Sequence, residues 1–219
     1  MRYQPLLAAT LVFLILRPII DALFTFSVPI SPLRYLVLLA GLYAIRNRPL
    51  LLASALCLAL GDMVLRSLYE IGQSALLLKL SHGLGFAAIV LIASGISADV
   101  FKGGEVTSDI IVGAVCMYFV IGVIWAFLYY LLELLAPGSI LGHPTAFIHP
   151  IEDQRFTELL YLSVGALSSV GFLSNVSTTP LLGQLAVVEA VCGQLYLAVL
   201  IARLVGSHAS AGQRPQLLQ

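Results

Sequence analysis

Apolar residues fill this chain in long runs, and the breaks between runs are made of proline, glycine and charge. Read as membrane-crossing stretches, the runs predict about six helices. Helix 1 extends from about Leu6 to Val28 and is closed by Pro29 and Pro32. Helix 2 is short, about Leu33 to Ile45, and stops at Arg46-Asn47-Arg48-Pro49. Helix 3 covers about Leu50 to Tyr69, and helix 4 about Gln73 to Ser97, before a polar link from Asp99 to Asp109. Helix 5 spans about Ile110 to Leu135 and ends at Pro137-Gly138. After a loop holding Pro144 and Pro150 comes a half-length amphipathic segment, Asp153 to Ser168, and then a long last run, Leu181 to Val205.

The half-length segment is too short to cross a bilayer. It is followed by Ser168-Ser169-Val170-Gly171 rather than by a second half of helix. Non-helical backbone at membrane depth survives only where protein buries it or water lines it, so this stretch reads as a re-entrant loop. Glu152 and Asp153 stand at its N-terminus, where negative charge suits the helix dipole. Its C-terminal carbonyls would then face a central cavity and favour a cation.

Composition supports the membrane reading. Hydrophobic residues make up 60% of the chain and charged residues 10%, which leaves too little polar surface for a water-soluble domain. The formal net charge of +0 argues against nucleic acid as a partner. Cys57, Cys116 and Cys192 lie in separate apolar runs without metal-ligand spacing and read as small packing residues. The first apolar run lacks a clear small-residue cleavage site and reads as a retained helix. With both termini in the cytoplasm, Arg2, Arg46, Arg48, Lys102, Arg203 and Arg214 fall on the inner side, and Arg34 and Arg155 on the outer.

The stretch Ser169-Val170-Gly171-Phe172-Leu173-Ser174 aligns, one residue for one, with the filter sequence TVGYGD of tetrameric P-loop potassium channels. Leu160 to Ser168 stands where those channels carry a pore helix, and Leu185 to Val191, Gly193 to Val199 and Ala202 to Gly206 look like their last helix. Gly104 to Thr107, Cys116 to Tyr130 and Ala136 to Ser139 resemble the helix before the pore. About half the chain thus resembles the bacterial potassium-channel-like family. The resemblance implies an all-α membrane protein with a re-entrant pore helix, assembled as a homotetramer in a bacterial plasma membrane. It also implies K⁺ or Na⁺ as permeant ions, with no bound cofactor. Residues 1–106 would form a four-helix N-terminal domain, 107–206 the pore unit and 207–219 a disordered cytoplasmic tail.

Such filters replace an ion's hydration shell with backbone carbonyls from four chains. Gly171 keeps the inner position that needs unusual backbone angles, and Ser169 offers a hydroxyl where Thr is usual. Leu173 takes the place of the outer Gly, where a left-handed conformation costs about 1–3 kcal/mol, and Ser174 replaces the family's bracing Asp. Weak selectivity or poor conduction is therefore expected. Glu133, Glu152, Asp153 and Glu158 form an acidic outer rim: a vestibule that concentrates cations, or a solvated loop that merely caps the half-helix.

Intramembrane charges form the other constellation. Arg17 and Asp21, and Asp62 and Arg66, each lie four apart on one helix face. At about 1.5 Å per residue, Arg17 and Asp62 sit about 18 Å from the cytoplasmic side, and Lys79 and His82 about 8–13 Å from the outer end. Such charges pair or line a path, so they form either a network pinning helices 1, 3 and 4, a gate, or a separate transport or catalytic site. Helix 4 has no cation at every third position, so it is not a conventional voltage sensor. In the last helix Glu189 is expected to pack against the pore helix or to face the cavity, with Gln194 near it. Gly193 either bends that helix or allows close packing. Three classes of function follow: a cation channel; a nonconducting scaffold or regulatory subunit derived from one; and a lipid hydrolase using Asp62 and His82 as an acid–base pair. The last has neither a nucleophile motif nor metal-ligand spacing beside that pair.

Overall fold

The computed structural model describes residues 2–23, 31–102, 107–141, 151–171 and 179–212, with the backbone alone at 17, 18, 20–23, 31–33, 151–154 and 207–212. Every regular element among them is an α-helix: α1 (Gln4–Leu23), α2 (Ser31–Ala44), α3 (Pro49–Gly72), α4 (Ala75–Val100), α5 (Ser108–Leu135), α6 (Ile151–Leu167) and α7 (Pro180–Gly212). The helices at Pro49–Gly72, Ala75–Val100, Ser108–Leu135 and Pro180–Gly206 are long and apolar enough to cross a bilayer. The protein is an all-α, multi-pass membrane protein. With 14 residues, α2 reaches only about 21 Å, short of a bilayer core of about 30 Å.

Local chemistry sets the helix ends. Pro49 opens α3, where its missing N–H is no loss. Gln73 closes it in a left-handed conformation, φ 50°, its N–H bonded to the Tyr69 carbonyl, so that α4 begins almost at once. Thr107 caps α5 by accepting from the Ile110 N–H. The last helix runs to Gly212 rather than stopping near Val205, because no proline interrupts it before Pro215. The tail expected to be loose is helical over its first residues.

Between membrane helices there is no water to expel, so close backbone approach and polar contacts provide the adhesion. Glycine makes that approach possible where α2 meets α4: a Cβ on Gly41 would lie 2.9 Å from Ile92, and one on Gly95 2.8 Å from Ile45. α3 lies at the edge, burying the single stripe Ala55, Ala59, Asp62, Arg66 and Tyr69 against α4. Its opposite face leaves Leu56, Leu60, Met63 and Leu68 exposed. α5 is central and packs on α1, α4, α6 and α7, whereas α7 packs on α5 and α6.

One end of the bundle is tied by charge. Asp99 of α4 receives Arg48 at 2.7 Å, the Arg2 guanidinium, and the Tyr3 hydroxyl at 3.0 Å. Asp109 in the first turn of α5 accepts the backbone N–H groups of Arg2, at 2.7 Å, and Tyr3, thereby capping the start of α1. The two carboxylates that bound the polar link between α4 and α5 are thus the fastening of α1, α3, α4 and α5.

Candidate functional site

The half-helix α6 lies antiparallel to α5 and between it and α7. The Ser163 hydroxyl sits 2.7 Å from the Gly122 carbonyl near the middle of α5, and the Tyr118 hydroxyl donates to the Leu167 carbonyl at 3.1 Å. Gly193 of α7 lies directly against that end, since a Cβ there would come within 2.3 Å of the Leu167 carbonyl oxygen. By Thr179 the chain is back at the far end of α5, where the Thr179 hydroxyl donates to the Ser139 carbonyl at 2.6 Å and accepts from Leu182 N–H as the cap of α7. Gly193 and Thr179 are separated by about 21 Å of helix, so the chain descends with α6 past the middle of α5 and returns by Thr179 to the end it came from.

The turn at the bottom has a defined form. Ser169 N–H bonds to the Ala166 carbonyl and Val170 N–H to the Gly165 carbonyl, with Ser169 left-handed at φ 58°. This is the Schellman termination, with serine where glycine is usual. Gly171 follows at φ 72°, a conformation glycine adopts freely. The carbonyls of Val164, Gly165, Ala166 and Leu167 all accept hydrogen bonds from within the chain. Within one chain the turn and Tyr118 satisfy them; the expected central cavity belongs to an assembly of chains. Ser168, Ser169, Val170 (63% exposed) and Gly171 lie on the surface, on the side of α7, and Gln194 donates to the Ser169 hydroxyl at 2.9 Å. Phe172, Leu173 and Ser174 lie outside the described residues.

Glu189 is wholly buried. Tyr129 of α5 donates to one of its oxygens at 2.6 Å, and the Ser163 hydroxyl of α6 lies 2.5 Å from the other. It packs against α6 and does not face a cavity. Gly193 likewise serves close packing.

The acidic rim is divided. Glu158 is exposed, whereas the side chains of Glu152 and Asp153 lie outside the described ones. Glu133 is no rim residue. Fully buried, it accepts the N–H groups of Gly138 at 2.7 Å, Ile140 at 2.9 Å and Leu141 at 3.2 Å, holding the turn that leaves α5.

Among the intramembrane charges, Asp62 is joined to a neighbouring helix. Asp62 pairs with Arg34 of α2, whose Nη2 reaches both carboxylate oxygens at 2.9 and 3.1 Å, and Ser81 donates to Asp62 at 2.6 Å. The basic-residue pattern places Arg34 at the outer surface; α2 is short enough that its first turn lies beside the polar middle of α3. A lone arginine in an apolar run was the signal, because it demands a buried acid. His82 stacks on Tyr130 at 4.6 Å and places Nδ1 3.1 Å from the Leu78 carbonyl. Arg66 lies over the Tyr69 ring at 5.6 Å, Lys79 is half-buried, and the side chains of Arg17 and Asp21 are outside the described set. Among the described residues, no group of His, Cys, Asp and Glu is placed to hold a metal ion.

No family model, curated protein or solved structure matches this chain.

Proposed function

We propose that the chain is one subunit of a homotetrameric cation pore of potassium-channel type, set in a bacterial plasma membrane, with residues 107–206 forming the pore unit. The observation that carries this reading is the exposed turn Ser168–Gly171 beyond the middle of α5. Hydrocarbon does not tolerate non-helical backbone, and a single chain leaves this turn uncovered. Four copies around an axis cover it and enclose water. The outward apolar face of α7, with Val187, Val191 and Leu195 exposed, then lies nearest the axis. K⁺ or Na⁺ passes with little discrimination, because Leu173 and Ser174 replace the glycine and aspartate of the family's filter. The pore has no strong voltage dependence, carries no cofactor and performs no catalysis. The acid of the hydrolase alternative, Asp62, has both oxygens engaged by Arg34.

The satisfied carbonyls at the end of α6 favour a second reading, a nonconducting scaffold or regulatory assembly of the same shape. One experiment separates the two. Native mass spectrometry in mild detergent is expected to show a tetramer, and a stable monomer or dimer overturns both readings. K⁺ and Na⁺ flux is then measured in liposomes for the unmodified protein and for Leu173→Gly with Ser174→Asp. Weak, poorly discriminating flux that gains K⁺ preference in the variant supports the pore. A tetramer silent in both forms supports the scaffold. Strong K⁺ selectivity unchanged by the double substitution refutes the role given to Leu173.

A further inference from the structure

We infer that Glu189 is held as a neutral carboxylic acid, and that in this form it is the positioning residue that clamps α6 between α5 and α7. The Ser163 oxygen lies 2.7 Å from the Gly122 carbonyl oxygen and 2.5 Å from a Glu189 oxygen. Each is a hydrogen-bonding distance and needs a proton between the two oxygens. Ser163 has a single proton to donate. The other Glu189 oxygen already receives the proton of Tyr129 at 2.6 Å. With Glu189 ionised, one of the two Ser163 contacts brings acceptor oxygens together with nothing between them. A proton on Glu189 removes the conflict: the acid donates to Ser163, Ser163 donates to the Gly122 carbonyl, and Tyr129 donates to the remaining acid oxygen.

The surroundings agree with a neutral group. Glu189 is 0% exposed, on a membrane-crossing helix, where a bare carboxylate is costly. Among the described residues, the titratable groups facing it are Tyr129 and, farther off, Tyr118, both from α5. α6 contributes the Ser163 hydroxyl and no charge, so no cation is placed to stabilise an ionised form. The clamp joins three helices by one continuous chain of hydrogen bonds, and it holds whether or not ions cross the assembly. A silent assembly in the flux experiment leaves this inference standing, and the tests below do not involve ions.

Infrared spectroscopy of the purified protein in lipid at neutral pH is expected to show a protonated carboxylic C=O band that disappears in Glu189→Gln. Thermal melting across pH supplies the second readout. The amide that this substitution introduces can donate to Ser163 and accept from Tyr129, so Glu189→Gln is expected to melt close to the unmodified protein at neutral pH. Alkaline solution extracts the proton that the clamp requires, so the unmodified protein loses melting temperature as pH rises and Glu189→Gln loses less. Should Glu189→Gln fail to accumulate, Tyr129→Phe removes the donor to the acid's C=O and must shift the carboxylic band. The absence of a band assignable to Glu189 overturns the inference. So does a band unmoved by Tyr129→Phe, or a Glu189→Gln protein with the same alkaline loss as the unmodified one.

Discussion

Gly193→Ala is the sharpest perturbation the packing offers. The new Cβ would sit 2.3 Å from the Leu167 carbonyl oxygen, 3.2 Å from its carbonyl carbon and 3.0 Å from Leu167 Cδ1. A carbon and an oxygen ordinarily approach no closer than about 3.3 Å, so α6 and α7 must part by about 1 Å at this level. The carbonyl cannot simply turn aside, because Tyr118 holds it from the other side and the Ser168–Gly171 turn is built on the preceding residues. Overpacking of this kind costs about 1–3 kcal/mol, and a rigid backbone partner puts it at the upper end. Alanine returns up to about 1 kcal/mol through helix propensity, which leaves a net loss of about 2 kcal/mol. Gly183 and Gly206 lie on the same helix with nothing within 4 Å of a Cβ. Alanine at either is therefore expected to be neutral or to gain up to about 1 kcal/mol. Denaturation of the three variants side by side in one detergent measures the contrast. A Gly193→Ala protein as stable as Gly183→Ala would show that α6 and α7 do not touch through their backbones.

Two further outcomes are expected. Arg34→Leu or Asp62→Leu alone strands a buried charge and should cost about 3–5 kcal/mol, while the double substitution should cost clearly less than the sum; additive losses in a melting cycle would show that the two side chains are not partners. Glu133→Ala takes the acceptor from three N–H groups at the turn after α5 and should destabilise the protein by at least about 2 kcal/mol, whereas an unchanged melting temperature would return Glu133 to the solvated rim.

Much of this architecture can be read from residue order alone. The long apolar runs mark α3, α4, α5 and α7, and the failure of Asp153 to Ser168 to reach spanning length marks the half-helix. Gly171 was legible as a positive-φ position because only glycine adopts that region freely. Ser169 was not, since a left-handed serine carries no such signal and is held by the Schellman bonds around it. Partner choice among charges was less legible. Burial of charge pointed to a network across helices 1, 3 and 4, but the choice of Arg34 on α2 as the partner of Asp62 lies across a helix boundary, a distance no periodicity encodes. Glu133 was misplaced for a related reason: its three donors come from the backbone of the next turn, and backbone donors are invisible in side-chain patterns.

Residues 1–106, expected as an N-terminal domain, and 107–206, the expected pore unit, pack closely on one another. One apolar core runs through both, and its aromatic seam shows how. Phe156 of α6 meets Phe13 of α1 at 6.4 Å, Phe127 at 5.0 Å and Tyr130 at 5.8 Å, and Tyr130 stacks in turn on His82 of α4. Beside Tyr130 on α5, Tyr129 points to Glu189. The same two turns of α5 thus press on the polar cluster of α2–α4 from one side and on the α6–α7 clamp from the other. Aromatic cores of this density do not deform smoothly, because a shift at one ring must be matched by its neighbours. A change in the Arg34–Asp62–Ser81 cluster that moves α4 by the width of a methyl group therefore has to be taken up at Tyr130, and Tyr130 bears on α6. Whatever the turn beneath α6 does, the N-terminal helices are built into it through α5 rather than attached beside it.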